Sequence, residues 1–140
     1  MKTFVVLASL AACALAQRLH IQEPTSGQTV SGSGTVTVEL EQDQSLGPLV
    51  QTSVLIAMNN CFDVCSEPDQ WGPATVLYNG PFNPQFNSSA PEKGVYQDFA
   101  IQLPGFQSGG AIIQVAHQFQ AGGATLTNVF DYSTVQVNVQ

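Results

Sequence analysis

Past its first sixteen residues, the chain alternates hydrophobic and polar positions with a period of two. Val36, Val38 and Leu40 alternate with Thr35, Thr37, Glu39 and Glu41. Phe99, Ile101 and Leu103 alternate with Asp98, Ala100 and Gln102, and Val135, Val137 and Val139 alternate with Gln136, Asn138 and Gln140. Side chains of a strand point to opposite faces in turn, so each run predicts a strand with one buried and one wetted face. The Val54-Leu55-Ile56-Ala57-Met58 run is apolar in both phases and predicts a central strand covered on both sides. No helical period is visible after Ala16.

Turn chemistry separates the runs. Pro24-Thr25-Ser26-Gly27, Gly47-Pro48, Asn79-Gly80-Pro81, Pro104-Gly105 and Ala121-Gly122-Gly123 all favour tight turns. The predicted strands are Leu19–Gln22, Gly34–Glu41, Leu49–Met58, Thr75–Tyr78, Val95–Leu103, Ala111–Gln120 and Ala124–Val139, the last with a break. About seven strands with frequent turns predict an all-β, antiparallel β-sandwich of the immunoglobulin or fibronectin kind, with a closed barrel as the alternative. No repeat or linker divides the chain. Its least regular part runs from Asn59 to Pro91, and irregular loops on a rigid scaffold are where function concentrates.

The first residues carry different information. Lys2, the apolar run from Phe4, and the small residues of Ala14-Leu15-Ala16 form the three parts of a secretory signal peptide. The run is too short to span a bilayer. Residues 1–16 are therefore expected to be removed, leaving a domain at 17–140 that is released outside the cell. Formal charge is −7, and loss of Lys2 makes it −8 (−7 minus 1), with Arg18 and Lys93 as the remaining strong cations. Nucleic acid and anionic membranes both require a cationic face, so neither is an expected partner. Hydrophobic residues make up 44% of the chain, enough for a core, whereas charged residues make up only 9%. Polarity therefore comes from Gln, Asn, Ser and Thr, which suits uncharged partners.

Cys13 leaves with the signal, and Cys61 and Cys65 remain. An even pair in an oxidising compartment predicts a disulfide across Cys61-Phe62-Asp63-Val64-Cys65. So short a loop contributes on the order of 2 kcal/mol, which pins a turn rather than holding a domain together.

Ile21-Gln22-Glu23-Pro24-Thr25-Ser26-Gly27-Gln28-Thr29-Val30 leads into Gly34-Thr35-Val36-Thr37-Val38. Phe99-Ala100-Ile101-Gln102-Leu103-Pro104 is followed by a glycine turn and Ile112-Ile113-Gln114-Val115. This layout resembles immunoglobulin-like domains of fungal cell-wall assembly proteins. With Tyr78-Asn79-Gly80-Pro81-Phe82-Asn83-Pro84-Gln85-Phe86 and Val115-Ala116-His117, it also resembles small secreted immunoglobulin-like β-sandwich proteins of mushroom-forming fungi. The resemblance implies an extracellular sandwich and brings no activity and no functional residues with it.

Candidate chemistry is sparse. His20 and His117 are the only histidines, and imidazole pairs suit copper. A copper-dependent polysaccharide oxygenase would need His20 as the mature N-terminus, but Arg18-Leu19 is not a signal cleavage site. His117 shares its phase with Ile113, Val115 and Phe119, so the commoner arrangement is a core histidine bonded to a backbone carbonyl. No Gly-x-Ser-x-Gly elbow is present. Glu39, Glu41, Asp98 and Asp131 are candidate carboxylates for glycoside hydrolysis, but Glu39 and Glu41 fall on a wetted strand face. Asp63, Glu67 and Asp69 do not match the twelve-residue calcium loop and read as a solvated acidic loop. No catalytic residue, metal or cofactor is expected.

Trp71, Tyr78, Phe82 and Phe86 fall in the irregular segment beside Asn79. They are candidates to stack on sugar rings while the amide bonds hydroxyls; the alternative is that the rings fold back as a small core beneath the loop. Asn87-Ser88-Ser89 is an N-glycosylation acceptor. The expected function is therefore a secreted, non-enzymatic binding protein for cell-wall or plant polysaccharide or for an extracellular protein. A copper oxygenase using His20 and His117 and a structural or regulatory secreted protein are the alternatives.

Overall fold

A computed structural model describes residues 19–43, 48–61, 65, 74–122 and 124–140. Trp71 and the acidic residues Asp63, Glu67 and Asp69 lie outside the described residues, as does the predicted signal segment. Every regular element among the described residues is a strand: β1 (Leu19–Glu23), β2 (Thr29–Val30), β3 (Thr35–Gln42), β4 (Leu49–Asn60), β5 (Thr75–Gly80), β6 (Val95–Gln102), β7 (Gly109–Gly122) and β8 (Leu126–Val139). The strands form a three-stranded sheet in the order β1-β3-β6 and a five-stranded sheet in the order β2-β8-β7-β4-β5. All pairings are antiparallel except that of β2 with β8.

The chain is thus an all-β, immunoglobulin-like sandwich. It differs from the sequence expectation in two places. The dipeptide Thr29–Val30 forms an extra strand, bringing the described total to eight. The break expected between Ala124 and Val139 is absent, because β8 pairs with β7 without a register shift from Leu126 to Val139.

The period-two pattern explains the core. Val36, Val38, Leu40, Phe99, Ile101 and Leu103 point inward from the smaller sheet. Val54, Ile56, Met58, Ile113, Val115, Val135 and Val137 meet them from the larger one. Burial of a Val, Leu, Ile, Phe or Met side chain contributes roughly 1.5–3 kcal/mol, so this layer supplies most of the drive to fold. β4 lies between β7 and β5, and its outward Ala57 is also buried, as its doubly apolar stretch predicts.

Cys61 and Cys65 lie at one end of the larger sheet: Cys61 N donates to Gly110 O (2.8 Å) on β7, and Gln136 Nε2 on β8 donates to Cys65 O (3.4 Å). The expected Cys61–Cys65 disulfide is formed, with a Cα–Cα distance of 5.2 Å. Beside it the outward Ile112 and Gln114 are buried.

Candidate functional site

Of the aromatic residues singled out in the sequence, the three that are described, Tyr78, Phe82 and Phe86, do not share one face. Tyr78 packs inward on Phe99, with ring centroids 4.8 Å apart, and its hydroxyl donates to Pro81 O (2.9 Å). The Asn79-Gly80-Pro81 turn then drops Phe82 between the sheets. There it lies 6.4 Å from Phe99 and 5.1 Å from His117, ring to ring, and is 1% exposed. Phe82 is therefore a core residue that closes the open side of the sandwich between β5 and β6. Phe86 is exposed, and Asn79 is exposed opposite Leu55. The fold-back alternative describes Tyr78 and Phe82, because a ring of that size gains more from filling the gap between sheets than from solvent.

The two histidines are held in separate settings. His20 is on the solvent face of β1, with Nε2 3.1 Å from Asp43 Oδ2. His117 points inward from β7 and is fully buried. Its Nε2 donates to Gln51 Oε1 (2.8 Å) instead of the backbone carbonyl expected from sequence, and Gln51 Nε2 donates to Gln42 Oε1. This chain of side chains ties β3 to β4 and β7 across the core. Phe119 stacks on the imidazole at 4.7 Å. Burial lowers the His117 pKa to about 4, although Asp131 nearby opposes the shift. The ring is therefore neutral under ordinary conditions. Among the described residues, no three His, Cys, Asp or Glu side chains gather as metal ligands.

The solvent face of the smaller sheet is acidic but internally paired. Glu39 lies directly between Glu23 and Asp98 in register, a row of like charges. Lys93 Nζ donates to both Glu39 oxygens (2.8 and 2.7 Å) and lies 4.8 Å over the Tyr96 ring. The hydrogen bond to Glu39 raises the Lys93 pKa. Gly94 N donates to Glu41 Oε1 (2.8 Å). The candidate carboxylates are thus spread along one sheet face, with Glu39 and Glu41 already engaged. Asp131 lies on the other sheet, where its Oδ2 accepts from Leu19 N (2.8 Å).

The solvent face of the larger sheet has the opposite character. On β8 the odd residues join the core, so the even residues point outward. They include Leu126, Asn128, Phe130 and Tyr132, of which Phe130 is 59% and Tyr132 54% exposed. Residues two apart on one strand are about 7 Å apart, so the two rings form a short row. Gln118 is opposite Phe130, Ala116 is opposite Tyr132, and Leu55 continues the second row across β4 to Asn79. Gln120 Nε2 donates to Asn128 Oδ1 (3.1 Å) beside the exposed Val50. None of these outward positions is charged. They form an open face of rings and amides at the end of the sheet away from the disulfide.

Sequence reasoning passed over Phe130 and Tyr132. Their signal was the loss of alternation in Val129-Phe130-Asp131-Tyr132, which reads as a strand break. The strand is continuous, and its outward phase carries aromatic residues.

Asn87 is exposed in the loop before β6. Its Oδ1 accepts from Ser89 N (2.9 Å) and its Nδ2 donates to Tyr96 Oη (2.9 Å).

No protein-family model and no curated protein matches the chain. Among solved structures, the chain is similar to CopC from Methylosinus trichosporium OB3b. That similarity is at 13% identity, over 89% of this chain and 93% of that one, with a TM-score of 0.40. It is also similar to HiLPMO9B, at 16% identity, over 85% of this chain and 53% of that one, with a TM-score of 0.48. This chain therefore spans about half the length of HiLPMO9B. At such identities no residue role carries across.

Proposed function

We propose that this is a secreted, non-enzymatic binding protein whose open face on the larger sheet takes a neutral polysaccharide of a cell wall or plant. The observation that carries the reading is the exposed Phe130–Tyr132 row among Gln118, Gln120, Asn128 and Asn79, with no charge in the patch. Solvent-exposed rings on a strand are available to stack on the apolar face of a sugar ring, and amides can both donate to and accept from hydroxyls. An uncharged face also avoids the desolvation of ionised groups on binding.

The test is co-sedimentation of the 17–140 chain with insoluble chitin, β-glucan and cellulose, beside a folded Phe130→Ala/Tyr132→Ala variant. The wild-type chain is expected to be retained on at least one polymer. Loss of both rings should weaken retention about tenfold or more, since 1.4 kcal/mol corresponds to a factor of ten. Equal retention of wild type and variant, or no retention of the wild type, overturns the reading.

A further inference from the structure

A sheet edge presents a row of unpaired N–H and C=O groups, and natural proteins blunt such edges. Three of the edges here are blunted. β1 carries a bulge between Ile21 and Glu23 and runs into Pro24. β5 has only six residues and ends at Gly80-Pro81. β6 is covered by Gln85, whose N donates to Tyr96 O (2.9 Å) and whose O accepts from Tyr96 N (3.1 Å).

The fourth edge differs. Near the end of β8, Asn138 N donates to Gln28 O and Gln136 O accepts from Gly27 N, so even-numbered backbone groups face away from β7. The β7–β8 register has no shift, so the same phase runs back through Phe130, Asn128 and Leu126. β2 reaches only Asn138 and Val139, β1 meets β8 at Asp131 without pairing with it, and among the described residues no strand pairs with 126–130 on this side. Asp131 caps the edge just beyond, its Oδ1 accepting from Tyr132 N (2.9 Å) and its Oδ2 from Leu19 N. From Leu126 to Phe130 there is no Pro, Lys, Gly or bulge.

We infer that this edge of β8 pairs with the same edge of a second copy, in an antiparallel two-fold arrangement centred on Asn128. Centred there, Asn128 faces its own copy and Leu126 faces Phe130. Each pair exchanges both backbone bonds, because all three residues point them outward. Charge disfavours the edges of the smaller sheet, and the short β5 leaves β8, uncharged over 126–130, as the long edge. The chain is strongly acidic, and Glu23, Glu39, Glu41 and Asp98 would repel a copy approaching the smaller sheet. Residues 126–130 are uncharged, and the nearby Asp131 is held by two N–H groups. The outward side chains at the seam, Leu126 against Phe130 and Asn128 against Asn128, are complementary to themselves, as a two-fold interface requires. The larger sheets of the two copies would become one ten-stranded sheet, with both Phe130–Tyr132 rows on one side.

Sedimentation equilibrium of the 17–140 chain over a wide concentration range tests this without reference to any ligand. The expected result is a monomer–dimer equilibrium. Asn128→Pro removes an N–H that serves only the edge, and Phe130→Lys places a like charge at each end of the seam. Both variants should stay folded by circular dichroism and run as monomers. Hydrogen exchange gives a second readout: amides of Leu126, Asn128 and Phe130 should become more protected as concentration rises, while those of Thr127 and Val129 stay constant. A wild type that is monomeric throughout, or an Asn128→Pro variant that still dimerises, overturns the inference. A monomer that is nonetheless retained on polysaccharide leaves the binding reading standing alone.

Discussion

The outward faces of the two sheets follow the same alternating rule and have opposite chemistry. The outward positions of the smaller sheet carry Glu23, Glu39, Glu41 and Asp98, with Lys93 lying over a largely buried Glu39. The larger sheet faces solvent with Phe130, Tyr132, Val76, Leu55 and a set of amides, and no outward position on it is charged. The acidic face holds its own partners, with Lys93 bridging Glu39 and the Gly94 amide bonded to Glu41. The uncharged face carries its rings at the surface, with Phe130 59% and Tyr132 54% exposed. Strands that carry no charge on their outward positions leave those positions suited to neutral ligands and to approach by their own kind.

The largest contrast to test is between rings of one type. Phe82 fills the gap between the sheets and Phe130 lies on the open face. Phe82→Ala should cost about 3–5 kcal/mol in urea unfolding, as a large-to-small change in a core does. Phe130→Ala should stay within about 0.5 kcal/mol, as a surface change does. Equal costs would show that Phe130 is packed and would remove the open face.

Next in size is the buried histidine behind that face. The folded His117 pKa of about 4 lies below the ordinary 6.5 of an unfolded histidine, so the unfolded chain binds the proton more readily. The stability contributed by a neutral His117 is present above pH 6.5 and is lost as pH falls from 6.5 towards 4. Across that interval the loss amounts to roughly 3 kcal/mol. His117 faces Gln51, Phe82, Phe119 and, from β8, the opposing carboxylate of Asp131. Unfolding free energies of wild type and His117→Gln should therefore converge as pH falls through this window. A constant gap between them would mean that the histidine is charged or hydrated in the fold.

The smallest effect belongs to the acidic face. Asp98 sits directly opposite Glu39, and like charges across a strand pair are destabilising. Asp98→Asn should raise stability by about 0.2–1 kcal/mol at low ionic strength, and salt should shrink the gain. It should leave polysaccharide retention unchanged, whereas loss of retention would move binding to the wrong sheet.

Local sequence determined the strands, because a period of two admits only one way to bury Val36, Val38 and Leu40 together. It also determined the short disulfide, since Cys61 and Cys65 have little choice of partner once the chain can turn. It indicated that His117 shares the core phase of β7, and that few charges would be available for ionic partners. The partner of His117, however, is Gln51 on another strand, reached only when β4 docks beside β7. The fate of the aromatic residues was likewise a tertiary matter. Tyr78 and Phe82 lie close to Phe86 in sequence, but the gap between the sheets took the first two and left the third outside. Phe130 and Tyr132 became a face only because β8 continues unbroken beside β7 and sets their phase outward. Periodicity is a property of one strand, whereas a face and an unprotected edge depend on which strands become neighbours, and that is decided when the two sheets close over a common core.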